Sequence, residues 1–159
     1  SSWSDTAACD ILKCLGNLLS HQTAMPELEF YVSPCWEEAD RRAFAEALRT
    51  NRALKALAIT ADIIEYAPCG ALIQCAVEGQ AISKFRLQAA VCTRTPSWAE
   101  LPLDRLVAGA LRNRVLTDVC IEVDRHGDEH VEEMFSAVRG AATRNVLFRQ
   151  VALISKHSA

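Results

Sequence analysis

Four stretches of the chain repeat one spacing of apolar positions. They are Asn51-Arg-Ala-Leu54-Lys-Ala-Leu57-Ala-Ile59, Gly79-Gln-Ala-Ile82-Ser-Lys-Phe85-Arg-Leu87, Asn113-Arg-Val-Leu116-Thr-Asp-Val119-Cys-Ile121 and Asn145-Val-Leu-Phe148-Arg-Gln-Val151-Ala-Leu153. Each opens on a turn-forming residue and places apolar side chains three, six and eight positions later; a weaker copy runs from Gln22 through Met25 and Leu28 to Phe30. The first apolar slots fall at 25, 54, 82, 116 and 148, with spacings of 29, 28, 34 and 32. Self-similarity at this period marks a repeat architecture.

Within each copy the last two slots alternate apolar–other–apolar, the period of a short strand with one buried face. Between the copies the spacing becomes helical. Ala43, Phe44, Ala47 and Leu48 form one stripe, and Val131, Met134, Phe135 and Val138 form another behind Asp128 as N-cap, with Gly140 where that helix is expected to end. Pro68 and Pro102 fall where the first turns of two further helices are expected, and Trp98 in the longer loop of the third unit is read as a packing plug. Ala8, Ile11, Leu12, Leu15, Leu18 and Leu19 give a helix with no strand before it. The predicted units are 1–24 (helix only), 25–53, 54–81, 82–115, 116–147 and 148–159 (strand only), so the chain reads as a piece of a longer array.

A strand, a helix and a second strand in the same register make a parallel pair with a crossover helix. The expected fold is therefore α/β: a right-handed solenoid, or horseshoe, of about five strand–helix repeats, with a parallel sheet on the concave side and helices on the convex side. These residues resemble leucine-rich repeats of the ribonuclease-inhibitor-like subfamily, whose helices end Leu-x-x-Asn and whose strands follow Leu-x-x-Leu-x-Leu-x-x-Asn-x-Leu. The run from Phe44 through Leu48, Asn51, Leu54 and Leu57 to Ile59 is the nearest copy, and Ala110 to Leu116 the next. The resemblance implies a horseshoe, no catalysis, and protein recognition on the concave side. The family's later asparagine is here Ser33, Asp62, Ala90 and Asp124, and its last leucine is Cys35, Ile64, Cys92 and His126.

Composition narrows the function. The 159 residues are 50% hydrophobic and 23% charged, and 17 Lys and Arg against 20 Asp and Glu give a net charge of −3. That balance suits a globular domain and disfavours nucleic acid as a partner. No segment is apolar for long enough to cross a bilayer, and no secretory leader is visible. Seven cysteines without a Cys-x-x-Cys pair suit reduced thiols in the cytoplasm better than a disulfide framework or a zinc ribbon. The six glycines form no phosphate-binding loop and no nucleophile elbow, so no cofactor or metal is expected.

Two readings of function follow. The first is a non-enzymatic scaffold for a protein partner whose identity the sequence does not give. Residues alternating with the buried slots form three rows on the inner face: Glu27, Ala56, Lys84, Asp118 and Gln150; Glu29, Ala58, Arg86, Cys120 and Ala152; Tyr31, Thr60, Gln88, Glu122 and Ile154. The candidate binding residues are Glu29, Tyr31, Lys84, Arg86, Gln88, Asp118, Glu122 and Gln150. Tyr31 and Arg86 are the expected anchors, and Lys84 with Asp118 an expected cross-strand ion pair. The exposed solenoid ends, Ile154 above all, are expected to favour self-association. The second reading is a compact α/β enzyme or small-molecule-binding domain with its site near Asp124, His126, Asp128, Glu129 and His130; against it, the same residues suit a solvated strand-to-helix turn, and mid-strand charges argue against helices on both sheet faces.

Overall fold

The computed structural model describes residues 12–21, 25–31, 37–65, 74–75, 77–79, 81–93, 103–125 and 129–157. Pro68, Trp98, Pro102, Ser33, Cys35, His126 and Asp128 lie outside them. In chain order the elements are helix α1 (12–20), strand β1 (Glu27–Tyr31), helix α2 (Glu38–Thr50), strands β2 (Ala56–Glu65) and β3 (Lys84–Thr93), helix α3 (Leu103–Arg112), strand β4 (Asp118–Arg125) and helix α4 (Glu129–His157). Residues 74–75 and 77–78, between β2 and β3, are also helical.

The strands form one parallel sheet in the order β1-β2-β3-β4. Their register is set where each unit enters its strand. Pro26 O accepts from the N–H groups of Lys55 (2.8 Å) and Ala56 (3.0 Å), Lys55 O from Ser83 (2.8 Å) and Lys84 (3.1 Å), and Ser83 O from Thr117 (2.9 Å) and Asp118 (3.1 Å). Each accepting residue follows the first apolar slot of its unit, so the repeat of the sequence is also a repeat of hydrogen bonds.

The apolar slots then meet in one core. Leu28, Phe30, Leu54, Leu57, Ile59, Ile82, Phe85, Leu87, Leu116 and Ile121 are all buried, as are Phe44, Ala47, Leu48, Val77, Ala110, Phe135 and Val138 from the helical segments. The Phe30 and Phe44 rings meet edge to face at 5.1 Å between centroids. Each large side chain removed from water in this way contributes about 1.5–3 kcal/mol. The helices therefore cover one face of the sheet, and the alternating residues on the other face stay exposed or half-exposed.

Asparagines join the units to one another. Asn51 ends α2, its N–H donating to Ala47 O at 3.0 Å. Its Oδ1 accepts from the N–H groups of Ala53 (2.9 Å) and Leu54 (2.7 Å), while Nδ2 donates to Leu19 O in the previous unit (2.7 Å). Asn113 does the same after α3, with Val115 (2.9 Å), Leu116 (2.8 Å) and Val77 O (2.7 Å). Both are 1% exposed, so nearly all their hydrogen-bonding capacity is met inside the protein. In the intervening unit the position is Gly79, where a Cβ would approach Cys75 O to 2.8 Å and Leu48 O to 3.5 Å. No side chain fits there without a shift of the backbone.

The final unit corrects the sequence reading twice. Gly140 does not end a helix, and residues 148–157 are not a strand; α4 runs unbroken through both for 29 residues. Asn145, the third copy of the joining asparagine, is inside that helix, and its Nδ2 donates to Leu116 O at 2.8 Å. The physical reason is a shared pattern: Phe148 and Val151, which fill strand slots, also fall with Leu147 and Ile154 at the i, i+1, i+4, i+7 spacing of a helix. With no proline nearby, each added residue of an existing helix gains a backbone hydrogen bond without a new nucleation cost. The sheet described here thus has four strands in place of the expected five, and Ile154 is helical, not part of a strand edge.

Candidate functional site

The bare sheet face carries the rows expected from the alternation, in the expected register. Glu27 pairs with Ala56, Ala56 with Lys84, and Lys84 with Asp118; Glu29, Ala58, Arg86 and Cys120 make the second row, and Tyr31, Thr60, Gln88 and Glu122 the third. Glu29, Tyr31, Lys84, Arg86, Gln88, Asp118 and Glu122 are all exposed on this face. Gln150 is not among them. It sits on α4, as do Ala152 and Ile154, because the chain never turns back into a fifth strand.

The face has relief as well as charge. At this end of the sheet β2 presents the small Ala56 and Ala58, which form a low floor between taller neighbours, and a trough of about 450 Å³ lies there. Glu27 and Glu29 stand along one wall, Lys84 and Arg86 along the other, with Asp118 and Cys120 beyond them. Neighbouring parallel strands are about 4.8 Å apart, so the acidic and basic walls stand roughly 10 Å from each other. The small side chains of β2 were legible in the sequence rows; that they make a floor becomes visible only with the register fixed.

One expected contact does not form. Lys84 and Asp118 are register partners, yet among the described residues no ion pair within 4.0 Å joins them. An exposed pair gains little in water, and the fixed geometry costs side-chain entropy. Both charges therefore point out of the protein. Tyr31, the last residue of β1 and on the same face as Glu27 and Glu29, is 49% exposed.

The thiols here are poor nucleophiles. Burial pushes the Cys75 thiol up to about 12, helped by the carboxylates of Glu78 and Glu46. Cys120 is also raised, first by desolvation and then by its hydrogen bond to Glu122, with Sγ 3.5 Å from Oε1. Neither forms the thiolate that nucleophilic chemistry requires at neutral pH. Among the described residues no cluster of His, Cys, Asp or Glu has the arrangement of a metal site. The side chains of Asp124 to His130 all lie outside those described.

Sequence reasoning missed two kinds of residue. The joining role of Asn51 and Asn113 was hidden because both were read simply as turn formers. Arg144 gave no signal at all: its guanidinium donates to Ala110 O (3.1 Å) and Asn113 O (2.8 Å), carbonyls at and just beyond the end of α3.

No family model matches the chain, and no curated protein matches it. Among solved structures, one described as leiomodin-1 actin-binding site 2 superposes with a TM-score of 0.62 at 16% identity, covering 93% of this chain and 96% of that one. A second, the tropomodulin C-terminal domain from Caenorhabditis elegans, gives 0.48 at 13% identity, over 91% and 98%. The first similarity shows a shared fold over nearly the whole of both chains.

Proposed function

We propose that this protein is a non-enzymatic scaffold that captures a protein partner on the bare face of its sheet. The observation carrying this reading is the trough, a small-residue floor between an acidic and a basic wall, with Tyr31 exposed on the same sheet face. Aromatic and guanidinium side chains commonly carry interface energy, and complementary charges set orientation and encounter rate. A protruding partner segment with a basic flank toward Glu27 and Glu29 and an acidic flank toward Lys84 and Arg86 fits this surface. The face corresponds to the concave binding side implied by the ribonuclease-inhibitor-like resemblance.

The fold shared with leiomodin-1 actin-binding site 2 makes monomeric actin the first partner to test. A cytoplasmic setting accords with free thiols at Cys14, Cys75 and Cys120, and no helix among the described residues is long and apolar enough to cross a membrane. The test is titration of labelled actin against the wild-type protein, Arg86→Glu and Tyr31→Ala. Each variant is expected to weaken binding by at least about tenfold with an unchanged circular dichroism spectrum. Binding that persists in both variants overturns the sheet face as the site, and an absence of actin binding by the wild type removes actin as the partner.

A further inference from the structure

The charges of the bare sheet face are ordered along the strands as well as across them. Glu27 and Glu29 stand on β1, Lys84 and Arg86 on β3, and all four are exposed. Each pair is two residues apart, so each wall of the trough repeats its charge about every 6.6 Å. Between the walls, Ala56 and Ala58 extend no further than a methyl group. The next row, Tyr31, Thr60 and Gln88, is uncharged, which confines the pattern to two charges on each side.

Among the described residues none of these four charges is ion-paired. Asp118, the register partner of Lys84, lies on the far side of the basic wall from the floor, and the register partner of Arg86 is the thiol of Cys120. Both walls therefore present charge to whatever enters over β2. Width decides the backbone of that occupant. The walls stand roughly 10 Å apart from strand to strand, and their own side chains fill part of the gap. A helix is about 10–12 Å across with its side chains, so it rests on the wall tips and leaves the alanines uncovered. An extended chain fits between the walls. Its successive side chains point to opposite sides, and those on one side recur at the same two-residue repeat as the walls.

We infer that the trough takes an extended segment of a partner protein in which basic and acidic residues alternate. Its basic side chains meet Glu27 and Glu29, and its acidic ones meet Lys84 and Arg86; four residues are enough to reach both walls. The inference rests on the sheet face being the binding surface, and adds the backbone form and sequence pattern of what binds there. A second copy of this chain fits less well, because its own walls meet these walls and both floors stay empty.

The probes are two fluorescent peptides of about 12 residues and one composition, Lys-Glu repeated and Lys-Lys-Glu-Glu repeated. The first separates its charges onto two sides when extended, the second when helical. At low salt the Lys-Glu peptide is expected to bind the full chain at least about tenfold more tightly than the other. Reversing one wall, Glu27→Lys with Glu29→Lys, is expected to lower its affinity at least about tenfold. Adding Lys84→Glu and Arg86→Glu is expected to restore it to within about threefold, because an alternating chain turned about its long axis presents the opposite charges. Ala58→Leu, which fills the floor and leaves every charge in place, is expected to cost at least about tenfold as well. Circular dichroism checks that each variant keeps the fold. Equal or tighter binding of the Lys-Lys-Glu-Glu peptide, lost when one wall is reversed, overturns the extended segment and leaves the sheet face as the site. Binding indifferent to the wall variants, a fourfold reversal that restores nothing, or no binding of either peptide also overturns it; capture of actin by Arg86→Glu and Tyr31→Ala judges the sheet face separately. Wall-dependent dimerisation in sedimentation equilibrium assigns the trough to a second copy and overturns the inference too.

Discussion

Asn113 and Asn145 occupy the same slot of the same repeat, and the chain does opposite things after them. After Asn113 it leaves the helix; Oδ1 holds the N–H groups of Val115 and Leu116, and Leu116 is 0% exposed. After Asn145 the helix continues, and the equivalent apolar residue, Phe148, is 55% exposed. The N–H groups that Asn113 caps are free because the helix has stopped, whereas those after Asn145 are engaged by helical carbonyls. The motif therefore does not dictate the turn. It stabilises one where the following slot has a core to enter, and elsewhere the same amide serves as a side-chain tie, here to Leu116 O.

The sharpest way to break this contrast is to delete the two amides separately. Asn113→Ala strips three hydrogen bonds, two of them buried, and strands Val77 O and two N–H groups, for an expected loss of about 3 kcal/mol. Asn145→Ala loses mainly the bond to Leu116 O and gains helix propensity, so about 1 kcal/mol is expected. Urea midpoints of the two variants decide the matter; equal losses mean that the helical asparagine is as structural as the helix-ending one.

The unit that has Gly79 in place of asparagine offers a second contrast, through pH. The Cys75 thiol beside it is raised from the ordinary value near 9 to about 12. Folding therefore favours the neutral thiol: its stabilisation is complete below about pH 9 and is lost as pH rises toward 12. The slope is about 1.4 kcal/mol per pH unit for one proton. Cys75→Ala is expected to flatten the stability profile over that window, and an unchanged slope assigns the alkaline loss to other groups.

Arg144 links the two regions, since it reaches back from α4 to the end of α3. A cation on the carbonyls at a helix C-terminus interacts favourably with the helix dipole. Arg144→Gln is expected to cost about 1–2 kcal/mol, and less in high salt. A loss that does not respond to salt points to hydrogen bonding alone.

Most of the sheet was legible in the sequence. The slots from Leu28 to Ile121 fixed which strand neighbours which and, through alternation, seven of the eight candidate side chains on the bare face. Gln150 failed because Phe148 and Val151 fit the strand slots and, with Leu147 and Ile154, a helical spacing too, and only the surrounding packing chooses between the two. The Lys84–Asp118 contact failed for another reason: register brings two residues together, but solvent decides whether their charges touch. Arg144 and the trough over Ala56 and Ala58 depend on distances between units, and local pattern carries no record of those.

The smallest expected effect tests why α4 runs on. Gly140 would end a helix if local preference ruled, yet it lies inside one, exposed, and a Cβ there would meet nothing within 4 Å. Glycine in a helix interior costs about 1 kcal/mol relative to alanine. If α4 is continuous in solution, Gly140→Ala gains up to that amount and raises the melting temperature by about 2–4 °C. If instead the helix breaks at Gly140 and the outer half docks as a separate piece, alanine opposes the break and the gain vanishes or reverses. The sign of one small shift therefore distinguishes a continuous helix from two halves that only share an axis.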